Sequence, residues 1–127
     1  MSSKRVLIVD DNVTNLKLLT CLLAPEKVEV STATSAKSAL DLLKASRPDL
    51  LLLDLQLPDM DGLELTRLLR ADPAFEGLPI VAVTAYAMKG DEDKARAAGV
   101  DSYVTKPIAK DEFRRIVSMF LKAEASA

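Results

Sequence analysis

The sequence predicts an α/β fold in which helices cover both faces of a five-stranded, doubly wound parallel sheet. Short apolar runs alternate strictly with longer amphipathic stretches along the 127 residues, which is the pattern of repeated β–α units. Three of the apolar runs consist almost entirely of Val, Ile, Leu and Ala, as expected for parallel strands that are buried on both faces. Consecutive units of this kind are joined by right-handed crossovers, so helices lie on both sides of the sheet.

The apolar runs and the stretches between them predict strands and helices in alternating order. The predicted strands are residues 5–9, 27–32, 50–53, 80–83 and 102–104. The predicted helices are residues 12–23, 35–45, 63–70, 89–98 and 111–121. By analogy with other five-stranded sheets of this class, we expect the flavodoxin-like strand order 2-1-3-4-5.

The predicted helix ends carry local sequence signals. Pro25 and Pro48 follow the first two helices, because proline cannot continue a helix. Ser35 and Asp111 are predicted N-caps of the second and fifth helices. Gly99 is the predicted C-terminal stop of the fourth helix.

Length and composition indicate one globular domain. The chain is 49% apolar and 28% charged, which fits a packed core rather than disorder. We expect a single domain over residues 1–127, with its core at about 4–121 and a short frayed tail at 124–127. The net charge of -2 argues against direct nucleic-acid binding, because phosphate recognition needs a basic surface.

We expect a cytoplasmic protein without a membrane segment. No apolar run approaches the roughly 20 residues that span a bilayer, and the N-terminus does not have the pattern of a signal peptide. Cys21 has no second cysteine to pair with, which suits a reducing compartment. The sequence contains no histidine, so any phosphohistidine in its chemistry belongs to another molecule.

The strongest functional signal is the type of residue found at the carboxyl ends of the strands. Asp10 and Asp11 follow the first predicted strand, Asp54 the third, Thr84 the fourth and Lys106 the fifth. Open α/β sheets bind ligands at this edge, so we expect the five side chains to converge there. Each alone has an ordinary interpretation, such as a helix cap or a turn residue. Their coincidence favours a functional site.

The chemistry of this set favours a divalent cation and a phosphoryl group. Three neighbouring carboxylates repel one another unless a cation lies between them, and Mg²⁺ prefers oxygen ligands together with a substrate phosphate. With the cation present, the Asp54 carboxylate could attack phosphorus to form an aspartyl phosphate. The ammonium of Lys106 and the hydroxyl of Thr84 would then stabilise the charge of the transferring group.

The chain resembles the response-regulator receiver family over about residues 4–121. The motifs that carry the resemblance are VLIVDDN at 6–12, DLLLLDLQLPDMDG at 49–62, VTA at 83–85, AGVD at 98–101 and YVTKP at 103–107. Residues 83–91 further resemble the same stretch in a stand-alone member of the family. Each motif alone is weak, but all of them in this order make a specific signal.

The resemblance implies a role for each matching polar residue of the metal and phosphate site. Asp10 and Asp11 correspond to the acidic pair that binds Mg²⁺, for which Mn²⁺ is a possible substitute. Asp54 corresponds to the phosphoacceptor, which also contacts the metal. Gln56 occupies the position whose backbone carbonyl completes the metal shell, and Lys106 that of the lysine that pairs with the phosphate.

The resemblance also implies a switch next to this site. Thr84 and Tyr103 match the family's coupled hydroxyl and aromatic residues, and Ala85 matches the small residue that leaves room for the phosphoryl group. Pro107 is expected to follow Lys106 through a cis peptide bond. Phosphorylation would bias a pre-existing equilibrium between two conformations.

By resemblance, the partners are a histidine kinase or a histidine phosphotransfer protein as phosphodonor, and an unidentified output protein. We expect a stand-alone module that is not a multiple-turnover enzyme, because the sequence after Leu121 is too short for an output domain. Three alternatives use the same residues: a phosphorelay intermediate, a phosphate sink, and a receiver excised from a hybrid kinase.

Two enzyme classes fit the sequence less well. Phosphatases that form an aspartyl phosphate on a similar fold carry a second acid two residues after the nucleophile, and here that position is Gln56. Nucleotide-binding or flavin-binding domains are disfavoured because no Gly-x-Gly-x-x-Gly loop follows the first strand.

The first predicted helix has leucines outside its predicted core face. Leu16, Leu19 and Leu23 share the face expected to pack on the sheet, whereas Leu18 points away and Leu22 lies on the flank. Surface leucines are common. The alternative hypothesis is that Leu18 and Leu22 form a docking patch for the helices of a phosphodonor.

Overall fold

The structure is a computed structural model that describes residues 4–85 and 90–126. The first three residues, residues 86–89 and Ala127 lie outside the described residues. The predicted start of the fourth helix at Lys89 therefore falls outside them, as do residues 86–89 of the stretch at 83–91.

In the described parts of the chain, five strands form one parallel sheet in the order β2-β1-β3-β4-β5. The strands are β1 Arg5–Val9, β2 Glu29–Ala33, β3 Leu50–Leu53, β4 Ile80–Thr84 and β5 Ser102–Thr105. The helices are α1 Val13–Leu23, α2 Ala36–Ala45, α3 Gly62–Ala71, α4 Asp91–Ala98 and α5 Lys110–Ser126. The predicted fold class and strand order are confirmed.

Alternate residues of the central strands point to opposite faces of the sheet and form two separate cores. Leu51 and Leu53 of β3 belong to the core beneath α2, α3 and α4. Leu50 and Leu52 belong to the core beneath α1 and α5. All four are fully buried, which explains why this strand is an unbroken run of leucine rather than an alternating sequence.

The helix ends follow the predicted capping residues in two cases and depart from them in one. Ser35 caps α2 through a capping box with Ser38. Gly99 ends α4 with φ of 120° and donates its N–H to carbonyls of the last turn. The predicted N-cap Asp111 is wrong: Phe113 N–H bonds to the Ala109 carbonyl, so α5 begins at Lys110 and Asp111 lies in its first turn.

Most boundaries lie within one residue of the predictions, but the start of the second strand and the end of the fifth helix differ by two residues or more. The second strand begins at Glu29, two residues later than predicted, because a 3₁₀ turn at Ala24–Glu26 is followed by Lys27 with φ of 55°, which is not extended backbone. Helix α5 continues to Ser126, five residues beyond its predicted end at Leu121.

The prediction that Leu22 lies at the surface is wrong. Leu22 is 4% exposed and belongs to the same core as Phe113 and Val117 of α5. Helix α1 therefore packs against α5 as well as against the sheet, and this second contact covers the flank on which Leu22 lies. Leu18 is 39% exposed, as the helical period predicted.

Among the helices of the described residues, none combines the length and the apolar composition needed to cross a bilayer.

Candidate functional site

Four strand ends meet at the carboxyl edge of the sheet. Asp10 directly follows β1 and Asp54 directly follows β3, and the register of the two strands pairs Val9 with Leu53. The Asp54 N–H donates to the Val9 carbonyl at 2.8 Å, which holds the two aspartates side by side. On the other side of β3, the Lys106 N–H donates to the carbonyl of Thr84 at the end of β4, at 2.9 Å.

The ammonium of Lys106 lies between the two aspartates. Its Nζ donates to Asp10 Oδ2 at 2.8 Å and to Asp54 Oδ2 at 2.9 Å. The side chains of Asp10 and Asp54 are only 1% and 4% exposed. Partial burial alone would lower the pKa of Lys106, but the hydrogen bonds to Asp10 and Asp54 and their negative charge hold this pKa above the ordinary value of 10.5.

The second oxygen of each buried aspartate is held by its own turn. Asp10 Oδ1 accepts the N–H of Asn12 at 2.9 Å, and Asp54 Oδ1 accepts the N–H of Gln56 at 2.9 Å. These are Asx turns, in which a side chain bonds the backbone two residues on. Asp10 and Asp54 therefore have the same hydrogen-bond pattern, with Oδ1 in a turn and Oδ2 on Lys106.

Asp11 completes a cluster of three carboxylates. One oxygen from each of Asp10, Asp11 and Asp54 lies within 4.8 Å of the others, and Asp11 is exposed to solvent. Within the described residues, the cluster thus holds three carboxylates and one ammonium, that of Lys106, which pairs with two of them. An all-oxygen set with one solvent-facing member fits a hard divalent cation such as Mg²⁺, which keeps part of its water shell.

The loop after β3 is closed on itself beside this cluster. Gln56 and Asp61 form an isolated antiparallel bridge, and the Gly62 N–H donates to the Leu55 carbonyl at 2.9 Å. A Cβ atom at position 62 would lie 2.5 Å from Leu55 Cα, so this close approach requires glycine. Gln56 follows Asp54 by two residues, and the bond from its N–H to Asp54 Oδ1 keeps its backbone next to the cluster.

The remaining predicted site residues lie on or directly after the neighbouring strands. Thr84 of β4 is fully buried and Tyr103 of β5 is 9% exposed, and these two strands pair with each other. Ala85 follows Thr84 and is exposed. The peptide bond between Lys106 and Pro107 is cis.

The sequence profile of the response regulator receiver domain matches residues 6–118. The chain belongs to this family. The receiver is 42% identical over 118 residues to the polar-differentiation response regulator DivK of Brucella anthropi, an alignment that covers 93% of this chain and 96% of that protein. Phosphorylation on aspartate is the general function of the family, and its members interact with histidine kinases and phosphotransfer proteins.

Solved structures agree with this assignment. A CheY-like receiver domain protein from Methanospirillum hungatei is 31% identical, with a TM-score of 0.86 over 99% of this chain and 100% of the other. The receiver domain of the sensor histidine kinase PA1611 from Pseudomonas aeruginosa is 30% identical, with a TM-score of 0.85 over 95% and 99% of the chains. That protein holds a magnesium ion in its active-site cleft.

Sequence reasoning missed one residue of the loop after β3, which links this loop to another part of the chain. The side chain of Asp59, in the loop after β3, accepts hydrogen bonds from two backbone N–H groups at the start of α2. The sequence motif contains Asp59, but its spacing gives no sign of a partner more than 20 residues away. Only the fold brings the two segments together.

Proposed function

We propose that this receiver accepts a phosphoryl group on the carboxylate of Asp54 from a phosphohistidine of a histidine kinase or phosphotransfer protein. The phosphorylated receiver then acts by binding an output protein. One observation carries the proposal: two buried aspartates share the ammonium of Lys106, and a third carboxylate, Asp11, lies within 4.8 Å. Three carboxylates so close together, two of them buried, repel one another and are costly unless a further cation neutralises them.

The residues that would hold Mg²⁺ are Asp10, Asp11 and Asp54, together with the backbone carbonyl of Gln56. When bound, the ion neutralises the cluster and the oxygens of the incoming phosphoryl group. Mn²⁺ has the same preference for oxygen ligands and is expected to substitute for it.

The protein's own groups carry out the transfer. An Asp54 carboxylate oxygen forms a bond to phosphorus while the bond from phosphorus to the donor's imidazole nitrogen breaks, and the imidazole leaves with that electron pair. The ammonium of Lys106, already paired with Asp54, stays beside the transferred group and balances its charge. The hydroxyl of Thr84, at the end of the neighbouring strand β4, would donate a further hydrogen bond to the transferred group.

The signal would pass from Thr84 to Tyr103. The phosphoryl group adds about -1.5 to -2 charge and new acceptor oxygens. When Thr84 turns toward them, Tyr103 on the paired strand β5 packs into the space behind, which changes the surface of α4, β5 and α5. Tyr103→Ala should therefore leave phosphorylation intact and weaken the discrimination of the output partner between the two forms.

The donor would dock on α1, whose first residue follows the Asp10–Asn12 turn. Val13 and Leu18 on this helix are 56% and 39% exposed, and a groove of about 430 Å³ runs past Val13. Leu18→Asp should slow transfer from a protein donor and leave transfer from a small-molecule donor unchanged. Equal slowing with both donors would contradict a docking role for Leu18.

We expect one phosphoryl group per chain and slow self-hydrolysis rather than multiple turnover of a metabolite, because no second acid follows Asp54 at the position of Gln56. We further propose that the receiver acts in the cytoplasm, together with these donors.

Intact-protein mass spectrometry with phosphoramidate as donor tests the proposal. Wild-type protein and the control Asp72→Asn, which alters a cap at the far side of α3, should gain one phosphoryl group in the presence of Mg²⁺ only. Asp54→Asn should gain none. A wild-type protein that gains no adduct and does not bind beryllofluoride would contradict the proposed function.

A further inference from the structure

The four backbone N–H groups at the start of α2 that have no intrahelical partner are all bonded, and three residues supply the acceptors. Ser35 Oγ accepts the N–H of Ser38 at 3.1 Å, and Ser38 Oγ accepts that of Ser35 at 3.3 Å. The N–H groups of Ala36 and Lys37 donate instead to a carboxylate from another part of the chain, Asp59. Four N–H groups at a helix start have no partner within the helix, so this set is complete.

Asp59 uses both of its oxygens in this contact. Oδ1 accepts from Ala36 at 2.9 Å and Oδ2 from Lys37 at 3.0 Å, across 23 and 22 residues of sequence. These two hydrogen bonds hold the pKa of Asp59 below its ordinary value, because they favour the charged carboxylate. A negative group at a helix N-terminus is also favoured by the helix dipole.

The loop that carries Asp59 is the loop that carries Gln56. Asp54 Oδ1 holds the Gln56 N–H at one end, and the bridge between Gln56 and Asp61 closes the loop at the other. Leu57 and Met60 pack against the core on either side of Asp59. Asp59 therefore adds a directional polar anchor to a loop whose other contacts are apolar or internal.

Helix α2 is a rigid anchor for such a loop. Ala36, Ala39 and Leu43 are buried in the core beneath the sheet. Just before this helix, the Ala33 carbonyl accepts the Asp10 N–H at 3.0 Å, so the same segment also holds the first aspartate of the cluster.

We propose that Asp59 is a positioning residue of the metal site: by anchoring the β3–α3 loop to the first turn of α2, it fixes the backbone at Gln56 against the three carboxylates. The inference rests on the proposed function, in which the Gln56 carbonyl is a Mg²⁺ ligand. Groups that orient a ligand without touching the metal commonly change metal affinity when they are removed.

The test compares two variants that remove different caps from the same helix. Asp59→Ala removes the link between α2 and the loop, whereas Ser35→Ala removes a cap of α2 and leaves the loop link in place. Mg²⁺ affinity is measured by calorimetry without any phosphodonor. We expect Asp59→Ala to bind about tenfold more weakly and Ser35→Ala to stay within about twofold of wild type.

A second readout uses metal-free protein. Amide hydrogen exchange of Gly62, whose N–H closes the loop onto Leu55, should be faster in Asp59→Ala and unchanged in Ser35→Ala. Asp59→Asn retains one acceptor oxygen and should give intermediate values for both measurements. It replaces Asp59→Ala if that variant does not fold.

Equal loss of Mg²⁺ affinity in the Asp59 and Ser35 variants would overturn the inference, since it would show that the stability of α2 alone matters. Unchanged affinity and unchanged exchange in the Asp59 variants would overturn it as well. A wild-type protein that binds no Mg²⁺ would instead contradict the proposed function itself.

Discussion

Two ion-pair networks lie at opposite edges of the same sheet, and they differ in how their charges are balanced. At the carboxyl edge, Lys106 pairs with Asp10 and Asp54, both almost fully buried. At the amino edge, Arg70 pairs with Asp101 at 2.9 Å, and both side chains are partly exposed. Each network joins segments that are distant in sequence, but only one of them has equal numbers of positive and negative groups.

The Arg70 network is balanced and its donors are directed at fixed acceptors. Nε donates to the Gly99 carbonyl at 2.9 Å and Nη1 to the Leu78 carbonyl at 2.8 Å, while Nη2 pairs with Asp101. Asp101 Oδ2 also accepts the N–H of Ile80 at 2.8 Å. One cation, one anion and two carbonyls thus tie the end of α3 to the segments that enter β4 and β5.

The Lys106 network has more negative charge than it can neutralise. In the described residues, its one ammonium pairs with the carboxylates of Asp10 and Asp54, and the third carboxylate, that of Asp11, lies within 4.8 Å of theirs. Structural ion pairs gain from balance, because an uncompensated buried charge is costly. Charge surplus, rather than the presence of ion pairs, therefore separates the carboxyl edge of this sheet, which we propose is the reactive edge, from its structural amino edge.

The largest expected effect on the free energy of unfolding comes from a substitution at the structural edge. Arg70→Ala should lower the free energy of unfolding by about 3 kcal/mol, because two carbonyls and a carboxylate lose a shared donor. Urea denaturation measures the change. The control Arg96→Ala, which removes an exposed pair with Glu92 and a long hydrogen bond of 3.4 Å to the Asp101 carbonyl, should cost no more than about 1 kcal/mol. Equal effects of the two variants would break the assignment of Arg70 as a structural residue.

A smaller and pH-dependent effect is expected at the reactive edge. Lys106→Met should cost about 2 kcal/mol at neutral pH, because Asp10 and Asp54 lose their shared cation. The folded-state pKa of Lys106 is raised above 10.5, so its stabilisation is complete below that pH and is lost as the pH rises through the folded-state pKa.

The difference in the free energy of unfolding between wild type and Lys106→Met, measured by urea denaturation, should therefore be smaller at about pH 11 than at neutral pH. The contribution of Arg70 should persist over the same range, because a guanidinium stays protonated. A gap that stays constant or widens on the alkaline side would contradict the role of Lys106 in the network.

The smallest expected effect on the free energy of unfolding is a stabilisation rather than a loss. Asp11→Asn should stabilise the metal-free protein by about 1 kcal/mol, because it removes one negative charge from the surplus. Among the described residues Asp11 has no ion pair to lose. The same variant should lose most of the rise in melting temperature that Mg²⁺ gives to wild type. Destabilisation of the metal-free protein would show that the cluster is not in surplus.

The sequence predicted the parts of this site that depend on strand ends. Asp10, Asp54 and Lys106 each directly follow a strand, and parallel strands end at the same edge, so their convergence follows from the order of elements. The cores were predictable for the same reason, since runs such as residues 50–53 are apolar at every position.

The parts that the sequence did not predict depend on contacts between elements. Leu22 was placed at the surface because a helical wheel assumes one packing partner, whereas α1 has two. The partners of Arg70 include backbone carbonyls, and those of Asp59 are backbone N–H groups. Backbone groups occur along the whole chain, so no sequence pattern marks the ones that bond to these side chains. Only the fold brings each side chain to its backbone partners.

The central claim is that one particular carboxylate of the surplus takes the phosphoryl group. Asp10 and Asp54 have the same hydrogen-bond pattern, and either substitution would also remove a proposed metal ligand. The direct measurement is therefore made on phosphorylated wild-type protein, by borohydride reduction of the acyl phosphate followed by peptide mass mapping. We predict homoserine at position 54 and unmodified aspartate at positions 10 and 11. Homoserine at position 10 or 11, with position 54 unmodified, would contradict the account.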